Sequence, residues 1–283
     1  MYDDLVEFLQ ESVTPFHAAA TAESWLRAAG YTRLEEADYW NLEPGKGYYV
    51  TRNGSSVVAW RVPEHAIGGW RIAASHSDSP CWKIKADMPE NEGCRRLSVE
   101  GYGGMIMASW LDRPLTVGGR VLVKTQDGVQ SRLVYIDRDL LVIPSLAIHF
   151  QRDVNKGKVF NPQIDMQPLW GPAGSRTLTD LVCEELGITA EEILDWDLQL
   201  VTRQAPVQIG PDNEYFMAPR IDDLECAATT LLAFLDASSE ADSACAPVWA
   251  MFDNEEVGSS SRMGAESSFL RDVLDRILDA VPH

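Results

Sequence analysis

The stretch Val248-Trp249-Ala250-Met251-Phe252-Asp253-Asn254-Glu255-Glu256-Val257-Gly258-Ser259 decides the fold. Five apolar residues run straight into an Asp-Asn-Glu-Glu cluster and then a glycine. An apolar run of this kind suits a strand covered on both faces, as in a parallel sheet, and ligands collect beyond the carboxyl ends of such strands. Glu255 and Glu256 both stay ionised at low cost only where a cation sits between them or water reaches them. Two readings therefore compete: a metal site with one Glu as ligand and the other as general base, and a solvated acidic turn.

Working outward, a second apolar run, Trp70-Arg71-Ile72-Ala73-Ala74-Ser75, also ends in polar residues, His76-Ser77-Asp78-Ser79-Pro80. It is a second strand with possible ligands at its end. Upstream, Leu5, Val6 and Leu9 share a helical stripe, and Thr14-Pro15 caps a second helix that Gly30 ends. Strands at 48–51 and 57–62 flank the hairpin turn Asn53-Gly54. Downstream, Leu224, Ala227, Ala228, Leu231, Leu232 and Leu235 keep helical spacing behind Arg220-Ile221-Asp222-Asp223, which puts Asp222 at a helix start. Residues 236–246 read as a connection. Phe269, Leu270, Val273, Leu274, Ile277 and Leu278 form a last amphipathic helix.

Between these α/β segments the texture changes. Residues 89–93 read as a linker, short strands follow at 120–124 and 133–137, and 126–128 is a hairpin turn. A short helix is expected at 143–150 and a longer one over 177–201. Residues 1–86 and 210–283 are thus assigned to an α/β domain, and 87–209 to an insertion.

The composition gives 24 basic and 43 acidic residues, a net charge of −19. Such a balance repels phosphate backbones and anionic lipid, and argues against nucleic-acid and membrane partners. Five widely spread cysteines without a CxxC pair read as reduced thiols. With neither a signal-peptide pattern at the start nor an 18-residue apolar run, a cytoplasmic location is expected.

His76 and Asp78 lie two apart, so on an extended backbone both face the same way, and Asp78 can hold one ring nitrogen while the other ligates a metal. A surface His-x-Asp without function is the plain alternative. Asp222 is equally open between ligand and helix cap. One imidazole and three carboxylates, from His76, Asp222, Glu255 and Glu256, make a donor set suited to Zn²⁺ or Mn²⁺. Their separations are too long for a local motif, so only a shared sheet edge can bring them together.

Five stretches, taken in order, resemble the aspartyl aminopeptidase family, metallopeptidase family 18, within the exopeptidases that use two adjacent zinc ions. They are 14–18 (Thr-Pro-Phe-His-Ala), 74–80 around His76 and Asp78, 143–155 around His149, 219–222 ending in Asp222, and 253–259 around Glu255 and Glu256. The resemblance implies a three-layer mixed sheet with helices on both faces, zinc-exopeptidase-like, plus an inserted β-rich oligomerisation domain. It implies zinc, two ions per complete site, with Mn²⁺ or Co²⁺ as substitutes. His76 and Glu256 would each ligate one ion and Asp222 would bridge both; Asp78 would orient His76, and Glu255 would be the general base. His149 would reach a neighbouring subunit's site in a homo-oligomer. The substrates implied are peptides with a free acidic amino terminus.

Members of that family run longer, and their last segment supplies a further acidic ligand, a final histidine and much of the pocket that selects an acidic residue. After Glu256 this sequence offers Glu266, Asp272, Asp275, Asp279 and His283, of which three acids lie on the solvated stripe of the last helix. The expectation is a fragment with three of five zinc ligands and weakened activity. Two alternatives stand beside it: a catalytically silent assembly subunit, and a two-metal amidase acting on N-acyl substrates. For an acidic preference, the local cations on offer are Arg220, Lys83 and Lys85.

Overall fold

The computed structural model describes residues 1–87, 93–237 and 245–281. Most of the expected linker at 89–93, most of the connection at 236–246, and His283 lie outside the described residues. The chain divides into two compact units, one of Met1–Ser79 with Ala205–His283 and one of Pro80–Gln204. These breaks precede the 87 and 209 read from the sequence: the strand at Cys81–Asp87 pairs with strands that follow it, and Val207–Ile209 pairs with Tyr215–Met217.

In the first unit the chain opens with α1 (Tyr2–Glu11) and α2 (Pro15–Ala28). The Thr14 hydroxyl accepts from the His17 backbone N–H at 3.4 Å and Pro15 sits at the first helical position, where its missing N–H costs nothing. Four strands follow: β1 (Thr32–Arg33), β2 (Gly47–Arg52), β3 (Ser56–Arg61) and β4 (Gly69–His76). Asn53 and Gly54 both take positive φ, 58° and 65°, as the tight turn between β2 and β3 requires.

The second unit is a six-stranded sheet whose pairings are all antiparallel. Its strands are β5 (Cys81–Asp87), β6 (Cys94–Tyr102), β7 (Leu115–Thr125), β8 (Gly128–Tyr135), β9 (Leu169–Pro172) and β10 (Ile193–Thr202). A single helical turn, α3 (Pro162–Asp165), and α4 (Leu178–Leu186) accompany them. The helix expected over 177–201 therefore stops early. Gly187, at φ 64°, caps α4 in the left-handed conformation, and from Ile193 the chain pairs with β7 as a strand. The short helix expected at 143–150 does not form either: Ile143 bridges to Leu111, and 148–150 is an exposed turn.

Returning to the first unit, β11 (Val207–Ile209) and β12 (Tyr215–Met217) make a small hairpin, followed by α5 (Ile221–Ala237), β13 (Cys245–Phe252) and α6 (Phe269–Ala280). The main sheet has the order β1-β2-β3-β13-β4, with β13 parallel to β4 and antiparallel to β3. Alternation along β13 feeds two cores. Trp249 and Met251 pack with residues of α1, α2 and α5, while Val248, Ala250 and Phe252 pack with Phe269, Val273 and Ile277 of α6. The result is helix, sheet, helix, which is why the strand reads as continuously apolar.

Candidate metal centre

Parallel pairing sets Phe252 of β13 opposite His76 of β4, and the Ser77 N–H donates to the Phe252 carbonyl at 2.8 Å. Two neighbouring strands thus end together, and the loops beyond them share one rim. The loop after Phe252 is pinned at once. The Asp253 N–H donates to Ser56 Oγ at 2.9 Å, and the Asp253 carboxylate accepts from the Asn254 N–H at 2.7 Å. Asn254 is left-handed at φ 65°, a conformation Asn tolerates better than most residues, and it starts the 3-10 turn Glu255–Val257.

Asp78 is fully buried, and its two oxygens accept from the backbone N–H groups of Glu255 and Glu256, each at 3.1 Å. A buried carboxylate is tolerated because both oxygens find donors. His76 Nδ1 lies 3.1 Å from the Asp78 carbonyl and 3.3 Å from its carboxylate. Placing the ring proton on Nδ1 leaves Nε2 as a lone-pair donor. Nε2 faces Asp222 at 3.4 Å, Glu255 at 3.7 Å and Asp223 at 3.9 Å.

The electrostatics of this cluster are those of an anionic rim. Burial pulls the His76 pKa down, but hydrogen bonding to Asp78 and the charges of Asp78, Asp223 and Glu255 outweigh it and raise it to about 9. Partial burial, then repulsion from Asp78, pushes the Glu256 carboxyl up. Asp222 and Glu255 lie at the solvent side of the ring, their side chains 87% and 54% exposed. Asp222 and Asp223 depart from helical dihedrals at the start of α5, and the peptide between them is cis.

A family model described as "Aminopeptidase I zinc metalloprotease (M18)" matches residues 8–282. The chain belongs to the M18 family. It is 37% identical over 287 residues to a probable M18 family aminopeptidase 2 of Clostridium novyi, covering 98% of this chain and 66% of that one. A protein of the same description from Pseudomonas fluorescens is 39% identical over 285 residues, covering 97% and 65%. The chain thus spans just under two thirds of the length of these curated relatives. Among solved structures it is similar to a chain of the Ape4 and Nbr1 complex, with a TM-score of 0.92 and 34% identity over 99% of this chain and 59% of that one. Chaetomium thermophilum mApe1 matches with a TM-score of 0.90 and 32% identity, over 97% and 67%.

The donor set fits the zinc of the M18 description: one imidazole with its far nitrogen oriented by a carboxylate, and carboxylates facing the near one. Among the described residues, no three His, Cys, Asp or Glu side chains already close on a common point. The exposed Asp222 and Glu255 lie on the rim beside His76 Nε2 without enclosing a common point.

Of the residues singled out in the sequence, His76, Asp78, Asp222, Glu255 and Glu256 come together in the first unit. His149 belongs to the second unit and is exposed on its turn. His17, on α2, bonds Thr14 through Nδ1 at 2.8 Å, and His65 is exposed in a loop. The cations weighed for an acidic substrate are engaged elsewhere. Arg220 donates to the Ser12 and Leu9 carbonyls at the end of α1, Lys83 pairs with Asp197 at 2.7 Å, and Lys85 with Glu100 at 3.7 Å. Sequence reasoning passed over Asp223, which accepts from the His76 backbone N–H at 3.0 Å. Its only local signal is the Asp-Asp doublet.

Proposed function

We propose that this chain carries the principal ligands and the general base of a zinc-dependent aminopeptidase. One observation carries the reading: the Asp78 carboxylate holds the backbone of Glu255 and Glu256 while its own residue holds His76 Nδ1, so that Nε2 faces Asp222 and Glu255. His76, Asp222 and Glu256 would hold the metal, with Asp222 between two ions where two bind. When bound, zinc supplies Lewis acidity toward the scissile carbonyl and the attacking water. Glu255, exposed at the rim, takes the proton of that water and returns it to the leaving amine. Asp78 holds Nδ1 of the ring, so that Nε2 is the nitrogen offered to a metal, and fixes where Glu255 and Glu256 start.

An acidic first residue as the preferred substrate rests on the resemblance to aspartyl aminopeptidases, since Arg220, Lys83 and Lys85 are turned to internal partners. Weak activity of the chain as given rests on ligand count: three donors where that resemblance implies five. Loss of even an outer partner costs about 10- to 100-fold in metal affinity.

We further infer self-association through the second unit, as a β-rich insertion for assembly. Its turn exposes Leu146, Ile148 and Phe150 at 55%, 46% and 80%, around His149. Exposed apolar groups grouped in this way mark contact surfaces. S. cerevisiae mApe1, 25% identical with a TM-score of 0.84, is a dodecamer by its description. In this reading His149 serves a neighbouring copy's site. A location in the cytoplasm goes with the reduced cysteines; no described helix is long and apolar enough to cross a membrane.

Elemental analysis of the purified chain, hydrolysis of Asp-, Glu- and Leu-anilides with zinc or manganese, and solution mass test the three parts. Absence of bound metal in wild type, with or without added zinc, would overturn the metal reading. Equal rates on Leu- and Asp-anilides would overturn the acidic preference, and a monomeric mass would overturn the assembly.

A further inference from the structure

Asp223 stands next to a proposed ligand and has a different set of partners. The Ser77 N–H is spent on the Phe252 carbonyl, so strand alternation turns the His76 N–H to the opposite edge of β4. Among the described residues no strand pairs with that edge. The Asp223 carboxylate occupies the place a strand would take: its Oδ2 accepts the His76 N–H at 3.0 Å. The same oxygen stands 3.9 Å from His76 Nε2, behind Asp222 at 3.4 Å. Its side chain is 18% exposed against 87% for Asp222.

A second tie accompanies it. The Ser79 hydroxyl donates to the Asp222 carbonyl at 3.1 Å. The end of β4 and the start of α5 are therefore joined twice across the rim, once through each aspartate. Between them these bonds set the distance from the His76 ring to the Asp222 carboxylate.

We propose that Asp223 is a positioning residue: by accepting the His76 backbone N–H it fixes the spacing of His76 and Asp222, and it does not ligate the metal. This rests on the metal-site reading of His76 and Asp222. The role needs an oxygen acceptor at this point and no charge, so an amide should serve where an alanine fails.

The test compares wild type with Asp223→Asn and Asp223→Ala. In the metal-free protein, amide exchange and the proton shift of His76 are read by NMR. Zinc affinity is read by competition with a chromophoric chelator, and ligand geometry from the visible spectrum of the Co²⁺ form. D223A should lose the exchange protection of the His76 amide and bind zinc about 10- to 100-fold more weakly, the size of an orienting-partner loss. D223N should keep the protection, most of the affinity and the cobalt spectrum.

Three results would overturn the proposal. One is an unchanged His76 amide in D223A. Another is D223N as weak as D223A with an altered cobalt spectrum, which makes Asp223 a ligand. The last is a lowered melting temperature in both variants with unchanged zinc affinity, which makes its role one of stability alone. Should D223A not fold, Asp223→Leu, close to Asp in size but without an acceptor, takes its place, and wild-type exchange of the His76 amide or wild-type zinc affinity in that variant would overturn the proposal. Wild type that binds no metal sinks the metal reading, while the His76 amide still decides whether Asp223 holds it.

Discussion

The carboxylate of Asp78 bridges the backbone N–H groups of Glu255 and Glu256 at 3.1 Å each, across 177 and 178 residues of sequence. One buried side chain thus fastens the end of β4 to the turn after β13. Its removal leaves two turn donors without partners and takes away the carboxylate 3.3 Å from His76 Nδ1, so that the ring keeps only the Asp78 backbone carbonyl. Asp78→Ala should lower stability by at least about 3 kcal/mol, from two hydrogen bonds to a charged acceptor at roughly 1.5–3 kcal/mol each. It should also weaken zinc binding by about 10- to 100-fold. Urea denaturation and chelator competition measure the two effects, and a folded D78A of wild-type zinc affinity would show that His76 is oriented by something else.

Asn254 holds φ 65° and also exchanges side-chain bonds with Asp253 and Ser261. Substitution to Gly or to Ala removes the side-chain bonds equally, so the difference between the variants isolates the backbone. Asn254→Ala should be less stable than Asn254→Gly by about 1–2 kcal/mol, the cost of a Cβ in the left-handed region. Equal denaturation midpoints would mean that the loop relaxes out of this conformation.

Much of this centre was legible because strand ends are local signals. Phe252 and His76 close two apolar runs, and a parallel pairing of those runs was enough to put His76 beside Glu255 and Glu256. Asp222 followed from the helical spacing that begins at Leu224. Asp223 was missed because its partner, the His76 N–H, is 147 residues away and belongs to the backbone, which leaves no mark on side-chain patterns. The helix expected to run to Val201 failed for a different reason. Leu181, Val182 and Leu186 are helical neighbours, but Trp196, Leu198 and Leu200 alternate, and the switch of period falls just past Gly187. The short helix expected over 143–150 failed because Ile148 and Phe150 are exposed and give it no core to pack against, which leaves His149 on a turn.

Arg220 looked like a cation for an acidic substrate, and its guanidinium instead donates to the Ser12 and Leu9 carbonyls at 3.1 and 3.0 Å. It satisfies the orphan acceptors at the end of α1, where a positive charge also suits the helix dipole. Arg220→Ala should cost about 1.5–3 kcal/mol, one charged hydrogen bond or more. Hydrogen exchange should speed up selectively in α1. Unaltered exchange there, with any change confined to substrate selectivity, would return Arg220 to the substrate side.

His17 gives the first unit a pH dependence of definite sign. Burial, helped by the positive charge of Arg220, pushes its pKa down to about 4 from an ordinary 6.5. In the unfolded chain the ring takes up a proton as the pH falls through 6.5, while in the folded chain it stays neutral until about 4. Protonation therefore favours the unfolded state across that interval. The stabilising contribution is fully present above pH 6.5 and is lost as the pH falls toward 4. His17→Gln, which cannot titrate and keeps a polar group near Thr14, should show a shallower fall in unfolding free energy between pH 6.5 and 4 than wild type. Urea midpoints taken across this range provide the comparison, and parallel curves for the two proteins would mean that His17 titrates alike in both states.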